Sequence, residues 1–241
     1  MNNKSLIKKV KNLPVPILPT MVGAFTLSNV YSGMGYTWIR HITAWAAIAV
    51  ILSYILKICF HFDTVKKEYS NTIPASLYAG FTMLTMILGS YFYNASPVFG
   101  KTLWFVGLIL HAIQILVFTY NNVIKNFNMQ TFVPSWFVTY NGIMVSTVVG
   151  GVMNEPLIGK IVVYYGIAVF TVIIPFMIYR LAKHEIKDPV YHTQAILLAP
   201  STNKSAPFIN KAKPIIIIII HKIIYLTRPF LCSYIYLLSN P

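Results

Sequence analysis

Residues 74–93 read PASLYAGFTMLTMILGSYFY. The stretch is apolar enough to cross a bilayer, since about 20 helical residues span a hydrocarbon core of about 30 Å. Yet it opens with a proline and carries two glycines, two threonines and two serines. Similar segments begin at Pro14, as PVPILPTMVGAFTLSNVYSG, and at Pro134, as PSWFVTYNGIMVSTVVGGVM. The three prolines are 60 residues apart. Smoother apolar segments follow each of them, beginning near His41, Lys101 and Lys160. A fixed period signals a repeated architecture. The repeating unit predicted here is a helical hairpin, in three copies over residues 13–180.

The two helices of each unit differ. Gly, Pro, Ser, Thr and Asn together number 10, 7 and 9 in windows 14–33, 74–93 and 134–153. They number only 2, 3 and 3 in windows 41–60, 101–120 and 160–179. Even-numbered segments such as TAWAAIAVILSYILKICF can face lipid on all sides. Small and hydroxyl side chains suit close helix packing or a water-filled path instead. The sequence therefore predicts inner odd helices inside an outer ring of even ones. A proline at a helix start costs little, whereas Pro19, further in, predicts a kink.

Composition agrees with this reading. The chain of 241 residues is 56% hydrophobic and 10% charged, whereas soluble domains are about 45–50% apolar and about 25% charged. The fold class expected is all-α: a polytopic membrane protein with six clear transmembrane helices and a degenerate seventh segment. A barrel would need short alternating segments. Residues 1–12 form a basic N-terminus. A cleaved signal peptide would not share the spacing and composition of later blocks. Cys59 and Cys232 make no disulfide framework.

The net charge of +14 invites a nucleic-acid reading, but the charges sit at span ends. Lys4, Lys8, Lys9, Lys11, Lys57, Lys66, Lys67, Lys125, Arg180, Lys183 and Lys187 fall on one side, eleven in all. Arg40, Lys101 and Lys160 fall on the other. The positive-inside rule then places the N-terminus in the cytoplasm, in a plasma membrane, with lipid rather than nucleic acid as the surrounding partner.

No acidic residue lies inside a predicted span; Asp63, Glu68, Glu155, Glu185 and Asp188 are all in loops. Proton-coupled carriers usually use an intramembrane carboxylate or histidine. A neutral corridor with helix dipoles and basic flanks suits passive passage of anions. His111 is the one ionisable residue deep in a span, and it reads as a neutral histidine bonded to a neighbouring helix. A haem would need a second histidine at matching depth, and His41 differs from it by about 15 Å along the helix rise. No cofactor, metal site or catalytic group is expected. Trp38, Trp45, Trp104 and Trp136 sit near predicted span ends, as an interfacial belt would. Pore-lining candidates are Phe25, Gly80, Phe81, Thr85, Phe137, Tyr140 and Gly142, all on odd segments.

The stretches KEYSNTIPASLYAGFTMLTMILGSYFY, FVPSWFVTYNGIMVSTVVGG and QAILLAP resemble the starts of the third, fifth and seventh spans of the tellurite-resistance/dicarboxylate transporter family. That family includes bacterial tellurite-resistance proteins, yeast malate and sulfite transporters and plant slow anion channels. The resemblance covers residues 12–201. It implies ten helices in five hairpins, a pore lined by the odd ones, and three protomers side by side. It also implies transport of small anions: dicarboxylates, sulfite, tellurite, nitrate or chloride. The family's gating phenylalanine lies on a ninth helix, to which no position here corresponds.

After residues 181–193, a cytoplasmic loop, the segment 194–241 reads as an incomplete fourth hairpin and a low-complexity tail. TNKSAPFINKAKP and six isoleucines, Ile215–Ile220, replace the expected seventh helix. His221, Lys222 and Arg228 make it a poor span. A frame shift near Ser201 is the expectation, leaving three of five hairpins. The rival readings are a proton-coupled dicarboxylate carrier of the same fold and a non-transporting scaffold or inactive product.

Overall fold

The computed structural model describes residues 9–183. Residues 1–8, nearly all of the 181–193 loop and the 194–241 tail lie outside the described residues. The packing below belongs to the compact unit that ends at Ile178.

The elements are α1 (Ile17–Gly33), α2 (Thr37–Phe60), α3 (Phe62–Tyr69), α4 (Thr72–Leu77), α5 (Ala79–Tyr93), α6 (Pro97–Thr119), α7 (Trp136–Tyr140), α8 (Val145–Val149) and α9 (Pro156–Lys183). A π-helical turn, Tyr120–Lys125, extends α6, and 3₁₀ turns flank α8 at Gly142–Met144 and Gly150–Met153. The second helices of the three hairpins start at Thr37, Pro97 and Pro156, 60 and then 59 residues apart. The turns that precede them follow simple backbone chemistry. Gly35 takes φ +97° and Asn154 takes φ 55°, the left-handed region that glycine and asparagine tolerate best. Pro97 and Pro156 open their helices, where a missing N–H removes no intrahelical bond.

Among the described residues four helices are long and apolar enough to cross a membrane: Thr37–Phe60, Thr72–Tyr93, Pro97–Lys125 and Pro156–Arg180. Of the six clear transmembrane helices expected, these four meet that length and apolarity among the described residues. The first block is a 17-residue helix, α1, with Leu18, Val22, Phe25 and Ser28 buried along one stripe. Pro19 lies in its first turn, where amide groups have no intrahelical partner, so the kink expected there has no cause. The fifth block is not one helix; it breaks into α7, a 3₁₀ turn, α8 and a second 3₁₀ turn. Glycine lowers helix stability by about 1 kcal/mol, and this block carries Gly142, Gly150 and Gly151. Its hydroxyls also bond to nearby carbonyls. Ser146 donates to Ile143 O at 2.7 Å and Thr147 to Met144 O at 2.7 Å, a local alternative that competes with regular helix.

The third span is far more buried than the even spans, whereas α1 buries only four of its 17 residues. The apolar window of the third span, α4 with α5, is 67% buried, while those of the second, fourth and sixth are 22% buried each. The third span sits in the middle, packing on α1, α2, α6 and the broken fifth block. Small residues let it do so. A Cβ on Gly89 would stand 2.6 Å from Trp104 N, and one on Gly100 would stand 2.5 Å from Tyr93 N and Cα. A Cβ on Gly80 would meet the backbone of Leu18 and Pro19 at 2.8 Å. Close backbone approach of this kind drives helix association where lipid removes the hydrophobic driving force.

Gly100→Ala is expected to force the second hairpin apart and lower stability by about 1–3 kcal/mol, as overpacking does. Gly23→Ala, inside α1, whose new Cβ meets nothing within 4 Å, is expected to keep stability or raise it by up to about 1 kcal/mol. Thermal unfolding of the two detergent-purified variants, followed by size-exclusion fluorescence, checks the contrast.

Candidate functional site

A break in a helix at membrane depth frees carbonyl and amide groups that hydrocarbon cannot satisfy. Side chains of the third and fourth spans, and a carbonyl of the sixth, supply the partners. His111, on α6 and fully buried, lies with Nε2 2.9 Å from Thr139 O and Nδ1 2.6 Å from Thr82 Oγ1. A carbonyl can only accept, so Nε2 carries a hydrogen. The Thr82 hydroxyl, with one hydrogen, serves either Ala79 O at 2.9 Å or Nδ1. The imidazole joins the third, fourth and fifth spans, the bonding to neighbouring helices read from the sequence.

The seam continues in both directions. Ser76 and Ser135 hydroxyls meet at 2.8 Å, and Thr139 Oγ1 donates to Ser76 O at 3.1 Å. Gln114 donates to Ala75 O at 3.3 Å. Trp104 Nε1 donates to Ser146 O at 3.1 Å, so this tryptophan is a buried partner of the broken span and not part of an interfacial belt. Asn141, beside the break, donates to Gly166 O of α9 at 3.1 Å, and Thr119 meets the Tyr140 hydroxyl at 2.9 Å.

The pore-lining candidates fall into three places. Gly80, Phe81 and Thr85 lie on α5; Thr85 is buried and donates to Phe81 O at 2.9 Å, and Phe81 is half-buried. Phe137, Tyr140 and Gly142 lie on the broken block. Phe137 is half-buried and packs on Phe170 at 5.6 Å, and a Cβ on Gly142 would meet His111 and Met83. The structure thus brings Gly142 against the third span. Phe25 is fully buried on α1, edge-on to Tyr91 at 6.2 Å.

Residues 13–215 match the model of SLAC1, the voltage-dependent anion channel family. The chain belongs to the voltage-dependent anion channel family. This is the transporter family that the quoted stretches resemble. A search of curated proteins found no match. The match runs to Ile215, beyond Ser201, where the resemblance read from the sequence stops. As a member of this channel family, the protein is a multi-pass membrane protein of anion transport.

One polar cluster of this channel-family member escapes sequence reasoning. Lys57, assigned there to surface topology, is fully buried. Its ammonium has three acceptors: Leu13 O at 2.7 Å and the Glu68 carboxylate oxygens at 2.8 and 2.9 Å. The Tyr78 hydroxyl donates to Glu68 at 2.5 Å and the Tyr54 hydroxyl to Pro14 O at 2.9 Å. Tyr69 packs on Tyr78 at 5.9 Å, and burial pushes its phenol up to about 12. The cluster ties α1, α2, α3 and the third span together at one end. The only hint in the sequence is a Lys and Glu separated by eleven positions across a helix boundary, which no periodicity marks.

Removing one partner of a buried ion pair costs about 3–5 kcal/mol when the other stays buried. Lys57 is buried and the Glu68 side chain is 25% exposed, so Glu68→Gln is expected to destabilise more than Lys57→Met. Denaturant titration of both variants checks the order. His111→Leu leaves Thr139 O without its partner and is expected to cost about 1–3 kcal/mol; His111→Gln, which can still donate to it, is expected to cost less in the same assay.

Proposed function

We propose that the protein conducts small anions passively across a plasma membrane, with its N-terminus in the cytoplasm and its odd-numbered spans lining the path. The observation that carries this reading is the charge state of the span interior. No carboxylate lies inside a span, Lys57 is neutralised by Glu68, and His111 is held between a hydroxyl and a carbonyl. Cation paths normally carry rings of carboxylates, and proton-coupled carriers an intramembrane relay. A neutral, hydroxyl-bearing interior with basic ends favours anions.

Phe81 and Phe137 are half-buried on odd segments and form the constriction in this proposal. Phe25, Gly80, Thr85, Tyr140 and Gly142 make the wall behind them. Chloride, nitrate, sulfite, tellurite and dicarboxylates are the substrate class, and the resemblance to anion channels supports a homotrimer with one path per protomer. The second reading, a proton-coupled dicarboxylate carrier, draws on the same seam, because His111 is the one titratable group within it.

Purified protein in liposomes is expected to release chloride or nitrate when a potassium diffusion potential is imposed, with no loss when a protonophore is added. Phe81→Ala is expected to raise that flux several-fold. A flux that collapses with the proton gradient supports the carrier. Folded protein without flux supports a scaffold.

A further inference from the structure

We infer that the protein binds an anionic phospholipid, one acyl chain of which enters an apolar cavity between the fourth, fifth and sixth spans. The cavity measures about 480 Å³, within the size range of small-ligand sites. Its floor is aromatic and buried, built from Phe132, Trp136 and Tyr140. Its rim is apolar and open: Val123, Phe127 and Val172 are 38%, 54% and 59% exposed.

The polar atoms at the wall are already engaged. Thr119 and Tyr140 hydroxyls bond to one another at 2.9 Å, and Trp136 Nε1 donates to Thr131 O at 2.8 Å. A polar guest would lose its water and gain no hydrogen bond, which is costly; a hydrocarbon guest would lose nothing. The walls are also propped apart. The π-helical turn Tyr120–Lys125 changes the register of the fourth span as it reaches the cavity. Phe132 and Trp136 stand edge-on at 4.7 Å, so the floor supports itself without a filling side chain. The mouth opens between the exposed faces of the fourth and sixth spans, which in a membrane protein meet hydrocarbon.

The headgroup preference comes from Lys125. It ends the π-helical turn, lies in sequence between the rim residues Val123 and Phe127, and is exposed. No acidic residue occurs in 120–140. A lysine at a bilayer surface attracts anionic lipid, and its stem can follow apolar surface to the phosphate.

Tryptophan quenching by phospholipids brominated on the acyl chain tests this in the full chain. Bulk lipid reaches Trp38 and Trp45, 60% and 69% exposed, whereas Trp136 is 2% exposed. Bromines therefore reach Trp136 only from inside the cavity. Its signal is the difference between wild type and Trp136→Phe, with Trp136→Tyr serving if the phenylalanine variant does not fold. Brominated phosphatidylglycerol is expected to quench this component at several-fold lower mole fraction than brominated phosphatidylcholine. Lys125→Gln is expected to remove that preference. Ala168→Phe and Val172→Phe, which fill the cavity from α9, are expected to abolish the quenching while the thermal midpoint is retained. An unquenched Trp136 component in wild type overturns the proposal and means that the cavity is dry or holds the protein's own chain. Quenching that survives both filling variants, or equal quenching by the two lipids, overturns it as well.

Discussion

A helix that breaks inside hydrocarbon must find new partners for the backbone groups it releases, because no water is there to take them. In this protein that requirement organises the middle of the structure. The fifth block breaks around Asn141 and Gly142, and the fourth and sixth spans supply partners for it. His111 takes the Thr139 carbonyl, Trp104 takes the Ser146 carbonyl, and Asn141 reaches out to Gly166. Each of these bonds runs between different helices. The break therefore fixes the relative placement of spans that have only weak apolar reasons to associate in lipid.

The hairpin repeat makes sense in the same terms. A polar, broken odd span is tolerable only where it is surrounded, and a smooth even span is the cheapest thing to surround it with. The third span shows the consequence most fully, being 67% buried against 22% for each even span. Its Gly89 and the fourth span's Gly100 serve the contact between those two spans, and its Gly80 serves contact with α1. The residues that looked like interruptions of a greasy segment are therefore the sites at which backbones meet. Packing and a conducting path ask for the same small residues, which is why composition alone could not separate them.

What was legible in the sequence was the part that repeats. A 60-residue period and the contrast between odd and even blocks gave the hairpins, because helix length and lipid exposure leave strong compositional traces. The histidine was legible too, since a single neutral imidazole at depth has few ways to be satisfied. The failures have physical causes. Lys57 at a span end reads as a surface charge, but its partner Glu68 comes back on a separate short helix, and nothing local signals that return. Trp104 near a span start reads as an interfacial anchor, but the close approach at Gly89 and Gly100 draws it inward. The fifth block has the apolar content of a span, and hydropathy is blind to the hydroxyl-to-carbonyl bonds that break it. The pore-lining candidates share their place on odd blocks, a criterion that cannot separate the fully buried Phe25 from the half-buried Phe81 and Phe137.

Charge placement links the fold to the direction of its preference. Two of the end-of-span cations are paired among the described residues, Lys57 with Glu68 and Lys101 with Glu155 at 2.6 Å. The two kinds of cation also do different work. Lys57 sits on the inner side of its helix, where an unpaired charge would be too costly to keep, and its neutralisation closes off a fixed positive site at that depth. Lys66, Lys67 and Lys125 stay exposed at span ends, where water screens them. In the proposed path an anion would meet attraction at the mouths and hydroxyls and aromatic edges between them. Weak binding inside and attraction outside is the combination that permits both entry and release.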